Sequence, residues 1–204
     1  MDYSIAIATL KQADPILATA IDRVGDCLLN QEPRTGTLLD SLSQSIIYQQ
    51  LSGKAAAAIH RRFLQLYPDL LSLTPEAILN TPDEVMRGAG LSRAKVLYIK
   101  DLAQNIASGL PAIAELESLD DESIIRLLTQ VKGIGRWTVQ MLLMFRLHRW
   151  DVLPVDDLGI RTAIRHLYQL EDLPNRKTVE KIGSLWKPYR TIACWYLWRS
   201  LDGK

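Results

Sequence analysis

Apolar residues recur along the chain at intervals of three and four, the period of helices buried on one face. Asp14-Pro15 reads as an N-cap followed by proline at the first helical position, with ILATAIDRV as the body and Gly25 as the stop. Residues 26–37, which contain Pro33 and Gly36, read as a connection. A second helix is predicted over about 37–50, with Leu39, Leu42, Ile46 and Ile47 on one face. Ser52-Gly53 then restarts the chain into KAAAAIHRRFLQLY, stopped by Pro68, and the alanines at 55–58 allow close helix packing. Thr74-Pro75-Glu76 opens a short helix, and Thr81-Pro82-Asp83-Glu84 opens the next with the spacing of a capping box. Ser92 caps RAKVLYIKDLAQNI, in which Val96, Ile99, Leu102, Ala103 and Ile106 recur at helical spacing; Asp120 or Asp121 opens ESIIRLLTQV. No convincing strand alternation, low-complexity tract or fixed-period repeat breaks this pattern. The predicted class is all-α.

The 204 residues fit one large domain or two small lobes. No apolar run approaches the ~18 residues of a membrane span, and the N-terminus lacks the basic region of a secretory signal. Two cysteines, Cys27 and Cys194, cannot supply a four-thiolate zinc or iron–sulfur site, and they suit a reducing cytoplasm. His60, His148 and His166 show no metal-ligand spacing, so no metal bound by side chains is expected. The net charge of +1 conceals an asymmetry: residues 1–130 carry 11 Lys+Arg against 16 Asp+Glu, and residues 131–204 carry 13 against 7. All five tryptophans (Trp137, Trp150, Trp186, Trp195 and Trp198) lie in the basic part. Positive charge beside aromatic mass suits a nucleic acid, although a solvated face and a core explain the same facts.

Chemistry concentrates in residues 127–162, LLTQVKGIGRWTVQMLLMFRLHRWDVLPVDDLGIRT. One helix ends at Leu127-Leu128, a turn follows at Val131-Lys132-Gly133-Ile134-Gly135, and a new helix starts near Arg136 and runs through Trp137 and Met141. Gly133 and Gly135 are expected to turn the backbone sharply and expose amides at a helix N-terminus, where a phosphate is favoured. Such a contact grips DNA without reading its sequence. A plain helix–helix turn is the alternative for these two glycines alone.

Downstream stands Asp151-Val152-Leu153-Pro154-Val155-Asp156-Asp157, then Leu158-Gly159-Ile160-Arg161. With the hairpin, this resembles the helix–hairpin–helix DNA glycosylases, most closely the 3-methyladenine DNA glycosylase II branch. Ser45-Ile46-Ile47-Tyr48-Gln49-Gln50-Leu51-Ser52, Gly90-Leu91-Ser92-Arg93-Ala94-Lys95, and Trp186-Lys187-Pro188-Tyr189-Arg190 through Leu197-Trp198 look like the same branch, in its order, over about residues 14–200.

The resemblance implies two helical lobes, one from residues 1–36 and 156–204 and one from 37–155, with the active site in the cleft between them. It makes Asp157 the catalytic carboxylate, three residues before Ile160, and leaves Asp156 as the expected helix cap. A carboxylate beneath the sugar stabilises the positive charge that builds as a base departs, and orients the attacking water. Bifunctional relatives carry a lysine where Trp137 stands, so a monofunctional enzyme that leaves an abasic site is expected, with no lyase activity. Trp137 and Trp198 would stack on a cationic methylated purine; Met141 stands where some relatives have tyrosine. Lys132, Gly133, Ile134, Gly135 and Arg136 are the expected phosphate grip. Gln50, Leu51 and Ser52 are the expected contact in the minor groove, with Gln50 or Leu51 as the wedge that fills the gap left by a flipped base. Core packing is the alternative for Leu51 and Trp198; Trp150, Trp186 and Trp195 read as core.

The implied activity is excision of 3-methyladenine, 7-methylguanine and related lesions from double-stranded DNA by a monomer, without a cofactor or an iron–sulfur cluster. The hairpin carbonyls are a candidate seat for a monovalent cation. The alternatives are a glycosylase for a deaminated or oxidised base, a non-catalytic hairpin scaffold that binds DNA, and a helical module for protein partners.

Overall fold

A computed structural model describes residues 2–29, 36–51, 53–68 and 73–202. Among these residues no strand occurs. In chain order the helices are α1 (Ser4–Ala13), α2 (Pro15–Val24), α3 (Leu38–Tyr48), α4 (Gly53–Leu64), α5 (Pro75–Asn80), α6 (Asp83–Gly88) and α7 (Arg93–Ala107). They continue as α8 (Ile113–Leu116), α9 (Asp121–Leu128), α10 (Arg136–Met141), α11 (Leu158–Leu167), α12 (Arg176–Gly183) and α13 (Arg190–Arg199). A π-helical turn, Leu142–Arg146, follows α10, and a 3-10 turn, Ser184–Trp186, precedes α13.

The starts written into the sequence are those with a local cap. Asp14 accepts from the backbone N–H groups of Ile16 and Leu17, Ser92 from Lys95, and Asp120 from Ser123. The capping box expected at Thr81 does not form. Its hydroxyl donates to the Ala77 carbonyl and accepts from the Tyr67 phenol, so Thr81 closes α5, and α6 begins after Pro82 without a side-chain cap. Helices α1, α8 and α12 were not anticipated.

The chain folds into two compact units. One comprises Met1–Pro33 and Leu143–Lys204, the other Arg34–Leu142. The second crossing thus falls at 142/143, and the expected boundary at 155/156 is corrected. The cause is that residues 149–152 are bonded into the unit of the two chain ends. Thr191 of α13 donates its N–H to the Trp150 carbonyl at 2.9 Å and its hydroxyl to the Arg149 carbonyl at 2.6 Å. The Arg190 guanidinium grips the Asp151 carboxylate at 2.6 and 2.9 Å.

In the terminal unit α13 is the central rod, buried continuously from Thr191 to Leu197, with α2 and α11 packed against it. Asp14, only 2% exposed, ties this unit together. Besides capping α2, its carboxylate accepts from the Tyr168 phenol and, at 2.8 Å, from the Trp186 indole. Burial pushes the Tyr168 phenol up, and the hydrogen bond to Asp14 adds to the shift.

In the central unit α7 is the organising helix. Val96, Ile99, Leu102 and Ala103 are buried against α3 and α5, as their spacing predicted, with Leu39, Leu42, Ile46 and Ile47 of α3 on the facing surface.

Candidate functional site

The turn between α9 and α10 is built by packing on Gly133. Its φ is +79°, in the left-handed region that favours glycine. A β-carbon there would lie 2.2 Å from Cδ2 of Tyr98, so glycine is also what lets the ring lie against the backbone. Gly135 differs from expectation. At φ −93° it is ordinary extended backbone, and a β-carbon would meet nothing within 4 Å. Its bareness is not a demand of the turn; it keeps the start of α10 open.

The amides of this turn are not equivalent. The Lys132 N–H donates to Asp101 Oδ2 at 3.0 Å, and the Ile134 N–H to the Val131 carbonyl at 3.1 Å. Among the described residues the Gly133 and Gly135 N–H groups meet no acceptor. The side chain of Ile134 is buried, so its part is packing. Lys132 and Arg136, expected on phosphate, are matched by carboxylates. The Lys132 ammonium lies 3.0 Å from Asp101 Oδ1, and Arg136 forms a bidentate pair with Glu122. Both carboxyls are held below the usual carboxylate range, Asp101 chiefly by the Lys132 backbone N–H and Glu122 chiefly by the Arg136 guanidinium.

Beside this turn the same unit places residues 49–51. Gln49 closes α3 and donates its side-chain amide to the Gly133 carbonyl at 2.9 Å. The Lys95 ammonium donates to the carbonyls of Ile47 and Gln49 at 2.7 and 2.9 Å, and burial draws its pKa below the usual lysine value. Gln50 adopts φ +58°, and Leu51 is 39% exposed. Both wedge candidates therefore stand at the surface on a turn fastened to the hairpin. Ser52 lies outside the described residues. Trp137, 46% exposed, and half-buried Met141 lie one turn apart on α10.

The terminal unit carries Asp157 and Trp198. Asp157, not Asp156, caps α11: its Oδ1 accepts from the Ile160 N–H at 2.7 Å. The expected cap Asp156 is exposed and faces Arg176 at 3.4 Å. The reason is register, because an N-cap carboxylate bonds the amide three residues on. The same Oδ1 accepts from the Trp198 indole N–H at 2.9 Å, so two donors hold this one oxygen. Trp198 packs on Phe145 with ring centroids 5.9 Å apart. Gly159 makes this approach possible, since a β-carbon there would fall 2.9 Å from Trp198 Cδ1 and 3.1 Å from Asp157 Oδ1.

Of the tryptophans read as core, Trp186 and Trp195 are buried and Trp150 is half-buried. Cys194 is enclosed in α13, where burial raises its thiol. Sequence alone assigns no role to Tyr98, to Asp101 or to Lys95, although Lys95 closes the Gly90–Lys95 block that resembles the family. They recur at helical spacing on α7, but their partners are distant in the chain.

Residues 44–188 match the family described as HhH-GPD superfamily base excision DNA repair protein. DNA-3-methyladenine glycosylase 1 of Schizosaccharomyces pombe is 42% identical over 178 residues, which cover 87% of this chain and 78% of that protein. The alkylbase DNA glycosidase-like protein mag2 of the same yeast is 31% identical, over 97% and 93% of the two chains. Among solved structures, the S. pombe Mag1 enzyme in complex with abasic DNA superposes with a TM-score of 0.86 at 39% identity, over 96% of this chain and 95% of that one. A DNA-3-methyladenine glycosidase from Bacillus halodurans gives 0.85 at 37% identity, over 98% and 90%. The chain is a member of the HhH-GPD superfamily of base excision DNA repair proteins.

Proposed function

We infer that the protein is a monofunctional DNA glycosylase that hydrolyses the N-glycosidic bond of alkylated purines, 3-methyladenine and 7-methylguanine among them, in base-excision repair. The observation that carries this reading is the Asp157 carboxylate, held by the Ile160 amide and the Trp198 indole. As the purine leaves, positive charge builds on the deoxyribose, and a fixed anion below the ring stabilises it without reorganising. The same carboxylate accepts a proton from the attacking water, or orients it. Alkylation at a ring nitrogen makes the purine a better leaving group, so little acid assistance is needed.

Trp137, 46% exposed, stacks on a cationic base and has no amine for a Schiff base, so the product is an intact strand with an abasic site. Met141, on the same face, supplies a softer wall. The Gly133 and Gly135 amides serve a backbone phosphate, while Gln50 or Leu51 fills the space the flipped base vacates and Ser52 belongs to the same minor-groove contact. Lys132 and Arg136 add positive potential beside the hairpin, tempered by Asp101 and Glu122.

Hydrolysis in this form consumes only DNA and water and calls on no cofactor. The Val131 and Gly133 carbonyls each accept one N–H and keep a second lone pair, which suits a monovalent cation. The partner is damaged duplex DNA, bound by one copy of the chain. No helix among the described residues is long and apolar enough to cross a membrane, and the reading puts the protein where the DNA is, in the cytoplasm of a bacterium or the nucleus of a eukaryote.

Duplex DNA carrying defined methylated purines tests this. Free base and an alkali-labile site are expected, with the strand uncut at neutral pH; covalent trapping by borohydride would overturn the monofunctional assignment. Asp157→Asn keeps an oxygen for the α11 cap but loses the charge, so base release is lost while DNA binding survives. Retained turnover removes Asp157 from the mechanism.

A further inference from the structure

We propose that Lys95 is a positioning residue for base extrusion, holding the 49–51 turn in the conformation that enters the duplex. This rests on the proposed insertion of Gln50 and Leu51.

Helix α3 ends at Tyr48; the Ile46 and Tyr48 carbonyls accept from the Gln49 and Leu51 N–H groups at 3.4 Å, but Ile47 and Gln49 have no helical turn after them to supply a donor. Lys95 supplies the missing donors to Ile47 and Gln49, and its charge complements the negative end of the helix. With those carbonyls fixed, Gln50 is held at φ +58°, a conformation residues with a β-carbon keep only when neighbours enforce it. One turn further along α7, Tyr98 lies against Gly133, and Asp101 holds the Lys132 amide and ammonium. One stripe of α7 thus seats both the hairpin and the turn, and the bond from Gln49 to the Gly133 carbonyl joins them directly. Phosphate grip and wedge are set at a fixed separation.

The test compares Lys95→Met, Lys95→Arg, Leu51→Ala and the double variant Gln50→Ala/Leu51→Ala on a 7-methylguanine duplex with 2-aminopurine beside the lesion. Losing two charge-assisted hydrogen bonds should slow single-turnover base release by Lys95→Met about tenfold or more, with the Kd for undamaged duplex changed less than about threefold. The 2-aminopurine signal of extrusion should fall, hydrogen exchange over residues 49–51 should rise, and Lys95→Arg should recover most of the rate. Unchanged exchange over 49–51, a loss confined to Kd, or an arginine variant no better than methionine each overturns the proposal. If Leu51→Ala is impaired while Lys95→Met matches the wild type, Lys95 alone is wrong. A wild-type rate for Leu51→Ala and for the double variant Gln50→Ala/Leu51→Ala sinks the insertion reading and the role of Lys95 with it.

Discussion

Replacing Gly133 and Gly135 by alanine, one at a time, separates what the glycine turn does for the fold from what it does for DNA. At Gly133 the new β-carbon starts 2.2 Å from the Tyr98 ring, which must retreat by about 1.2 Å to reach an ordinary 3.4 Å contact. Overpacking of this kind costs about 1–3 kcal/mol, and the left-handed backbone adds about 1 kcal/mol for a residue with a β-carbon. Together these remove about 2–4 kcal/mol from a total stability of about 5–15 kcal/mol. At about 2–4 °C per kcal/mol for a chain of this size, the midpoint of thermal unfolding should fall by roughly 5–15 °C. At Gly135 the methyl enters open space on ordinary backbone, so the midpoint should stay within about 2 °C of wild type. Yet that methyl stands where a phosphate would reach the amide. Loss of a hydrogen bond to a charged group weakens binding by about 1.5–3 kcal/mol, or roughly ten- to a hundredfold in Kd. The effect should be alike for every sequence, because the contact is to the backbone. Thermal melts, and fluorescence anisotropy with two unrelated undamaged duplexes and one lesion duplex, decide the matter. The reasoning fails if Gly133→Ala melts with the wild type, or if Gly135→Ala keeps full affinity or loses it for one lesion only.

Other expectations follow from the same geometry. Trp198→Phe keeps the ring on Phe145 but deletes the donor to Asp157; base release should slow about tenfold with DNA affinity preserved, and Gly159→Ala should mimic it by displacing the indole. A change confined to lesion affinity would instead make Trp198 a base-stacking residue alone. Asp14→Ala strands the Tyr168 phenol, the Trp186 indole and two α2 amides, and chemical denaturation should register a loss of about 3 kcal/mol or more. Asp101, whose folded pKa is depressed, adds stability above its unfolded value of about 4 and loses it as acid carries the pH through the lower folded value. The stability gap between wild type and Asp101→Asn should therefore close on going from about pH 5 to pH 2; a gap that persists denies the ion pair its role.

What the sequence revealed and what it hid have one explanation, the range of the interactions involved. Asp14, Ser92 and Asp120 announce their helices because the group they satisfy lies two or three residues away. Thr81 misled because its hydroxyl had a better offer from the Ala77 carbonyl and from Tyr67, fourteen residues back. The choice between Asp156 and Asp157 for the α11 cap turned on a register of one residue. The family motifs pointed to Asp157, yet not to its bond with Trp198, forty-one positions on. Gly133 and Gly135 look alike in the sequence, and the left-handed backbone and the Tyr98 ring at Gly133 tell them apart. The partners of Lys95, Tyr98 and Asp101 stayed hidden because helical spacing tells which residues share a face, not what that face meets.

The buried carboxylate of Asp14 imposes an order on biosynthesis. Its phenol partner is synthesised 154 residues later and its indole partner 172 residues later. Tyr196, whose hydroxyl closes on the Gly25 carbonyl, emerges later still. At typical translation rates of about 5–20 residues per second, the first two helices wait roughly 10–30 s beside the ribosome, while residues 34–142 have all they need to collapse. Throughout that interval Leu17, Ala20 and Ile21 have α1 beside them but no α13 to lie against. The newborn chain thus carries a half-made subdomain whose apolar face is closed only when α11 and α13 arrive.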